Sequence, residues 1–131
     1  MITPNRGLLE PSVRLTLTDL ADLAKTDIDP SAEAFRNPLR RDAEALAKAL
    51  GPRSEPVLLG SIATPKYIDV LDCFQQELLF PEEFVGRGDM SRGGLLLRSV
   101  DARRELTYVP VRGAIRHGVR PPKLPPRSSR S

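Results

Sequence analysis

The apolar positions of the chain fall into short periodic groups separated by turns rich in proline and glycine. The clearest group has apolar residues three and four positions apart, which is typical of one buried helix face, and it comprises Leu39, Ala43, Leu46, Ala47 and Leu50. Asn37-Pro38 precedes it and Gly51-Pro52 follows it, as is usual where helices begin and end. The pattern predicts an α-helix over residues 38–50.

A strand and a second helix are predicted after this helix. Val57-Leu58-Leu59 is an unbroken apolar run that stops at Gly60-Ser61, as in a strand buried on both faces of a parallel sheet. Thr64-Pro65 then opens a helix over 65–78, whose apolar face comprises Tyr67, Val70, Leu71, Phe74 and Leu78. The order helix, strand, turn and helix indicates an α/β fold.

Both ends of the domain leave alternatives open. Alternating residues over 13–17 favour a short strand, and a helical turn over 18–25 competes with it. Residues 95–109 favour a hairpin, with a helix over 95–106 as the alternative, because Gly93-Gly94 and Val100 are unfavourable in a helix.

The predicted fold class is a small α/β domain of two or three layers with a short mixed sheet. It has two main helices (38–50 and 65–78), a C-terminal hairpin (95–109) and a basic extended tail. We expect one domain over residues 1–111, with 1–11 as a flexible arm, and a basic proline-rich arm over 112–131.

Composition excludes several classes of protein. The 131 residues include one cysteine, Cys73, which excludes an internal disulfide and a zinc site built from several cysteines. Asp69 and Asp72 have no second acidic cluster near them in the sequence, so we expect no metal site. The chain has neither a long apolar run nor a signal-like N-terminus, which predicts a cytoplasmic protein with no membrane partner.

Charge is distributed unevenly along the chain. Residues 1–84 contain nine Lys and Arg against fourteen Asp and Glu, whereas residues 85–131 contain eleven against three. A basic C-terminal third on an acidic body indicates an anionic partner, either a nucleic acid, a phosphorylated ligand or the acidic half of the protein itself. The alternative is a solvated surface with an unfolded basic end.

The first candidate site is the turn over 60–66. Ligands bind where a strand ends and a helix begins in α/β sheets, because the amides of the helix N-terminus converge there. The expected ligand-binding residues are Gly60, Ser61, Thr64 and Lys66. The spacing matches neither the phosphate-binding loop nor the dinucleotide motif, and an ordinary capped helix with a solvated Lys66 is the alternative.

The second candidate site is the segment 86–94, in which four of nine residues are glycine. Arginine forks beside glycine amides suit phosphate or carboxylate groups, so Gly86, Arg87, Gly88 and Arg92 are expected to bind a ligand. Asp89 and Ser91 are the candidate catalytic residues, with Asp89 orienting an arginine or acting as a base. The alternative is a structural turn in which Asp89 pairs with an arginine.

The basic arm carries a third candidate function. Its cations between Arg112 and Arg130 could bind nucleic acid, although the arm has no aromatic residue for base stacking. Residues 122–127 satisfy the P-x-x-P-x-R spacing of polyproline ligands, and an extended arm lying on its own domain is equally consistent. His117, the only histidine, is either a proton shuttle or an exposed tail residue.

Three stretches of the chain resemble a family of uncharacterised bacterial proteins. They are Leu59-Gly60-Ser61-Ile62-Ala63-Thr64-Pro65-Lys66-Tyr67, Phe84-Val85-Gly86-Arg87-Gly88-Asp89-Met90-Ser91-Arg92-Gly93-Gly94 and Arg116-His117-Gly118-Val119-Arg120-Pro121-Pro122-Lys123-Leu124. The resemblance covers about residues 55–125 and implies a bacterial, cytoplasmic setting and an ordered segment around His117. It implies no activity and no catalytic residue.

Two functions therefore stand as hypotheses. The first is binding of an anionic small molecule, a nucleotide or sugar phosphate, at segments 60–66 and 86–94, with hydrolase or transferase activity as its enzymatic form. The alternative is a non-enzymatic nucleic-acid or protein-binding module that uses the arm. The cofactor and the oligomeric state are left open, and the first hypothesis requires the two segments to adjoin.

Overall fold

A computed structural model describes residues 1–114 and 118–127, with the backbone alone at 75–77. These residues form a helix-rich, mixed α/β structure with four α-helices and one two-stranded antiparallel sheet. The chain divides into two compact units, one of Met1–Ser54 with Thr64–Gln75 and one of Glu55–Ala63 with Gln76–Ser131. No helix in the described part of the chain is long and apolar enough to cross a membrane. The number of layers and the domain boundary at residue 111 stay predictions.

In the first unit, a turn at residues 11–12 precedes helix α1, Leu17–Ala24. Thr16 and Asp19 cap this helix reciprocally: the Asp19 amide donates to Thr16 Oγ1 (3.1 Å), and the Thr16 amide donates to the Asp19 carboxylate (2.8 Å). This capping box satisfies donors that would otherwise lack partners. The helical alternative for 18–25 is therefore the one formed, and no strand forms over 13–17.

Residues 1–11 are hydrogen-bonded within the same unit. Ile2 and Leu8 form an antiparallel bridge, and the Leu8 amide donates to the Asp42 carboxylate at 3.0 Å. Arg6 forms ion pairs with Asp19 and Asp22 of α1 at 3.1 and 3.2 Å. These contacts tie the segment to two helices of the first unit.

Helix α2, Glu33–Ala49, begins five residues before the predicted start, so Asn37 is not its N-cap and Pro38 lies inside it. Phe35 and Leu39 are one turn apart and both fully buried, and the Phe35 ring meets Tyr67 edge to face at 6.5 Å between centroids. Burial of a phenylalanine contributes about 1.5–3 kcal/mol. Together with the hydrogen bonds of the added turn, this offsets the roughly 3 kcal/mol cost of an internal proline.

The predicted continuous helix over 65–78 is wrong. Helix α3 spans only Pro65–Ile68, and a 3₁₀ helix follows at Asp72–Glu77. The intervening amides of Val70 and Leu71 both donate to the Tyr67 carbonyl, at 3.1 and 3.0 Å. Leu71 is the only strong helix former between residues 67 and 74, so the apolar period alone did not sustain a helix. Val70, Leu71 and Phe74 are nevertheless buried, as the pattern predicted.

The second unit contains the sheet. Strand β1, Leu79–Pro81, pairs antiparallel with β2, Tyr108–Pro110, with Phe80 opposite Val109. The predicted parallel strand over 57–59 is reduced to an isolated parallel bridge between Val57 and Leu79, with Leu58 N to Leu79 O at 2.8 Å. The buried side chains of this unit include Leu58, Ile62, Phe80, Phe84, Leu95 and Val111.

The predicted hairpin over 95–109 is replaced by helix α4, Asp89–Ala102, and β2 pairs with β1 instead. Residues 89–94 of the predicted loop therefore form the first turns of α4. Leu95 is buried, whereas Leu97 is 50% exposed, a difference that a strand, in which both would share a face, does not produce. The helix ends at Arg103, which adopts a left-handed conformation with φ of 51°. Gly93 and Gly94 cost about 1 kcal/mol each in a helix, and they do not prevent it here.

Candidate functional site

A cleft of about 450 Å³ opens in the second unit. It brings together five of the residues predicted to bind a ligand, namely Ser61, Gly86, Arg87, Gly88 and Arg92. Three further residues that sequence reasoning did not select also line it: Ala63, Gly118 and Arg120. Segments 61–63 and 86–92 therefore adjoin in one concave site, and residues from the basic arm complete it.

Two glycines bring the arm against the loop before α4. Gly86 has a φ of 77°, and a Cβ atom added there would lie 2.5 Å from the Val119 carbonyl oxygen. A Cβ atom added to Gly118 would lie 2.7 Å from Val85 Cγ1. Because glycine alone lacks that atom, the two backbones approach more closely than other residues would allow.

Arg87 and Arg92 are held in place by short contacts within their own segment. Arg87 Nε donates to the Glu83 carbonyl at 2.8 Å, and its Nη1 donates to Ser91 Oγ at 3.2 Å. Arg92 Nη1 donates to the Arg87 carbonyl at 2.7 Å, and its Nη2 pairs with Asp89. A guanidinium carries five N–H donors, so each arginine is oriented and keeps donors for a ligand.

The N-terminus of α4 adds to the positive potential of the cleft. Gly88 lines the cleft and is the N-cap residue, and no side chain caps the helix there. The first intrahelical bond runs from the Arg92 amide to the Gly88 carbonyl at 2.9 Å. The preceding amides of the first turn lack intrahelical acceptors and carry the positive end of the helix dipole. Negative charge is therefore favoured at this position.

The two candidate catalytic residues do not line the cleft. The Asp89 side chain is 92% exposed and pairs with Arg92, as the structural alternative for this segment predicted. Ser91 accepts its hydrogen bond from Arg87. Neither contact activates a nucleophile; in this structure Asp89 and Ser91 each contact one of the two arginines.

Three residues of the first candidate turn do not line the cleft. Gly60 belongs to the second unit, beside Ser61, whereas Thr64 and Lys66 belong to the first unit. Thr64 makes no side-chain cap hydrogen bond, and α3 has only four residues. A helix of one turn has little dipole to attract an anion. The charge of Lys66 acts on Asp29 of the same unit: hydrogen bonds from Ser31, followed by the positive charge of Lys66, lower the pKa of the Asp29 carboxyl.

Arg120 was missed because the sequence left open whether the extended arm is a free tail or lies on its own domain. Residues 124–127 lie along α4: the Arg98 guanidinium donates to the Pro125 carbonyl, and Arg127 donates twice to Asp101 Oδ2, at 3.0 and 2.8 Å. The signal in the sequence was the resemblance over residues 116–124, which includes Gly118 and Arg120 and implied an ordered segment. In the described part of the chain, no hydrogen bond or ion pair involves the Arg120 side chain, and this residue is exposed.

The remaining candidates add no chemistry to this cleft. In the described ranges, no group of three or more His, Cys, Asp and Glu side chains could hold a metal ion. Cys73 lies in the first unit, where burial raises the pKa of its thiol. His117 and its predicted role lie outside the described residues.

Comparisons with protein-family models, with curated proteins and with solved structures found no match. The resemblance to uncharacterised bacterial proteins stays a prediction from the sequence.

Proposed function

We propose that the cleft binds an anionic small molecule that carries a phosphate group, such as a nucleotide or a sugar phosphate. One observation carries the proposal: Arg87, Arg92 and Arg120 line a single cleft at the N-terminus of α4, and none of the described residues that line it is acidic, since Asp89, which pairs with Arg92, is not among them. Like charges gathered in one concavity repel one another, and a bound anion relieves that repulsion.

The chemistry of the lining residues favours phosphate. Guanidinium groups present planar pairs of N–H donors that match two phosphate oxygens, which a point charge such as lysine does not provide. Ser61 adds a hydroxyl at the same cleft. The volume of about 450 Å³ falls within the range of roughly 300–1,000 Å³ found for small-molecule sites.

The proposal is for binding, in the cytoplasm that the sequence predicts. Hydrolase or transferase chemistry needs a general base near the reacting atoms, and the described lining residues are arginines, glycines, an alanine and a serine. Such an activity would require a carboxylate or imidazole from elsewhere in the chain or from a partner.

The test measures binding of inorganic phosphate, AMP and glucose 6-phosphate by calorimetry and by thermal shift. Arg120→Gln is the decisive variant, because no described contact depends on the Arg120 side chain and the fold should tolerate the change. Arg112→Gln is the matched control, since Arg112 is exposed and does not line the cleft. A ligand at 100 times its Kd stabilises the protein by about 2.7 kcal/mol.

We expect at least one phosphate compound to raise the Tm of the wild type and of Arg112→Gln, and to raise that of Arg120→Gln much less. The proposal fails if none of the three compounds binds, or if Arg120→Gln binds as the wild type does. The nucleic-acid alternative would instead be supported if the protein binds duplex DNA, if this binding weakens steeply with salt, and if both variants reduce it equally. The salt dependence of DNA affinity is set by the number of phosphate contacts, so each lost arginine would have a similar effect.

A further inference from the structure

Arg120 of the arm lines the cleft, whereas the hydrogen bonds that attach this part of the arm to α4 involve residues 125 and 127. The Arg120 side chain makes no described contact that would fix it there. Its neighbours Gly118 and Val119 approach the loop at Val85 and Gly86 through backbone and methyl contacts. Among the described residues 118–127, the hydrogen bonds to α4 lie farther along, at residues 125 and 127.

Residues 124–127 of the arm contact α4 at successive positions along the helix. Leu124 lies against Gly94, with its Cδ1 atom 3.9 Å from where a Cβ would stand, and Pro125 and Arg127 meet Arg98 and Asp101 in turn. From Gly94 to Asp101 a helix rises about 10 Å, at roughly 1.5 Å per residue. From Leu124 to Arg127 an extended polyproline chain covers about 9 Å, at roughly 3.1 Å per residue. The two segments therefore stay matched in length over this stretch.

One charged contact lies at the far end of this stretch. Arg127 Nε and Nη2 both donate to the same Asp101 oxygen, and the two side chains are 44% and 38% exposed. If this contact opens, the extended segment before it loses its ion pair with α4 and keeps only the Arg98–Pro125 contact and the packing of Leu124 among the described contacts. Arg120, seven residues earlier, then loses the part of its backbone support that lies on its C-terminal side.

We propose that Arg127 is a positioning residue for anion binding: by pairing with Asp101, it holds the arm on α4 and thereby keeps Arg120 in the cleft. This inference rests on the proposed function for its effect on affinity. It adds that a partly exposed ion pair outside the cleft, seven residues beyond Arg120, affects how tightly the anion is bound.

The first experiment needs no ligand. Trypsin cuts poorly before proline, so the Arg120-Pro121 bond is resistant, and the Lys123-Leu124 bond reports whether the arm has left α4. We expect Arg127→Gln to speed cleavage after Lys123 about two- to five-fold, the range for loss of a partly exposed ion pair when cleavage follows the open population. Arg127→Lys should restore most of the protection, and Arg112→Gln should leave the cleavage rate unchanged. Equal rates for the wild type and Arg127→Gln would overturn the proposed attachment.

The second experiment is a double-mutant cycle on phosphate affinity. We expect Arg127→Gln to weaken inorganic phosphate binding about two- to five-fold in the wild type and to have no effect in the Arg120→Gln background, because it acts through Arg120. The same loss in both backgrounds would overturn the role in positioning.

The outcomes separate this inference from the proposed function. Faster cleavage with unchanged phosphate affinity overturns the positioning role and leaves the proposed function intact. A wild type that binds no phosphate overturns both the proposed function and the effect on affinity, even where Arg127→Gln changes cleavage.

Discussion

At the scale of single residues, two glycines of the same segment have opposite consequences for stability. Gly86 has a left-handed backbone and lies against the Val119 carbonyl, whereas Gly93 lies inside α4 with open space where a side chain would be. Glycine is required at residue 86, because other residues adopt a left-handed backbone only at a cost. At residue 93 glycine destabilises the helix, because its helix propensity is the lowest after that of proline. Composition alone, four glycines in nine residues, does not distinguish the two roles.

Alanine at these two positions should therefore shift stability in opposite directions. We expect Gly86→Ala to destabilise the protein by about 1–3 kcal/mol, because the left-handed backbone and the close carbonyl both exclude a Cβ atom. Gly93→Ala should stabilise it by about 0.5–1 kcal/mol through helix propensity. Urea denaturation of both variants measures the change. A loss of stability in Gly93→Ala would contradict the helical assignment of residue 93.

At the scale of elements, the capping box of α1 makes stability depend on pH. The hydrogen bonds from Thr16, followed by the Arg6 guanidinium, lower the pKa of Asp19 below its ordinary value of 3.8. A carboxyl whose pKa is lowered by folding stabilises the folded state fully above its unfolded pKa. That contribution is lost as the pH falls from about 3.8 through the folded pKa.

We expect Asp19→Asn to be less stable than the wild type at pH 7, with the difference shrinking as the pH falls below about 3.8. Asp27→Asn is the control, because Asp27 is exposed and has no hydrogen bond or ion pair with the described residues. Urea midpoints measured from pH 7 to pH 2.5 provide the test. A difference that stays constant over this range would mean that the Asp19 charge does not support the helix start.

Helix α4 is the element that differs most from the sequence-based expectation, and two leucines test it. Leu95 is 7% exposed and Leu97 is 50% exposed. Leu95→Ala should cost about 2–5 kcal/mol, as buried leucines do, and Leu97→Ala well under half of that. In the hairpin alternative the two side chains share one face, and the two variants would then cost similar amounts.

At the scale of the whole molecule, charge divides between the two units. The first unit contains nine Lys and Arg against ten Asp and Glu, and the second contains eleven against seven. Six of those eleven cations lie in residues 112–131. The arm therefore supplies much of the positive potential of the unit that contains the cleft.

Removal of residues 112–131 should lower the urea midpoint and abolish the phosphate-induced rise in Tm, because the contacts of the arm on α4 and Arg120 are lost together. A chain that ends at Arg127 retains every described contact of the arm and is the control. If phosphate still raises the Tm of the chain that lacks residues 112–131, Arg87 and Arg92 suffice for binding.

Much of the local structure was predictable, because it follows from contacts close in sequence. The apolar period from Leu39 onward located most of α2, and the mixed α/β class is confirmed. The cluster of glycine and arginine over 86–92 was predicted to be part of a ligand site, and these residues do lie together in the cleft. Whether they bind a ligand stays a prediction.

Two of the wrong predictions, the start of α2 and the hairpin over 95–109, share a physical cause: burial of particular side chains outweighed local signals. Burial of Phe35 moved the start of α2 upstream past Pro38, and burial of Leu95 accompanies a helix that runs through two glycines. Each local signal is worth about 1–3 kcal/mol, and burial of one large apolar side chain is of the same size. Local patterns therefore cannot decide such cases alone.

The sequence by itself determined the uneven charge, the mixed α/β class, and the arginines and glycines of segment 86–92. These depend on residue identity and on neighbours within about one helical turn. Tertiary structure alone decided that β2 pairs with β1, that the arm lies along α4 and that Arg120 joins the cleft. Those contacts join residues far apart in the chain, and each forms only where packing compensates the entropic cost of closing the loop between them. Local sequence patterns carry no information about this compensation.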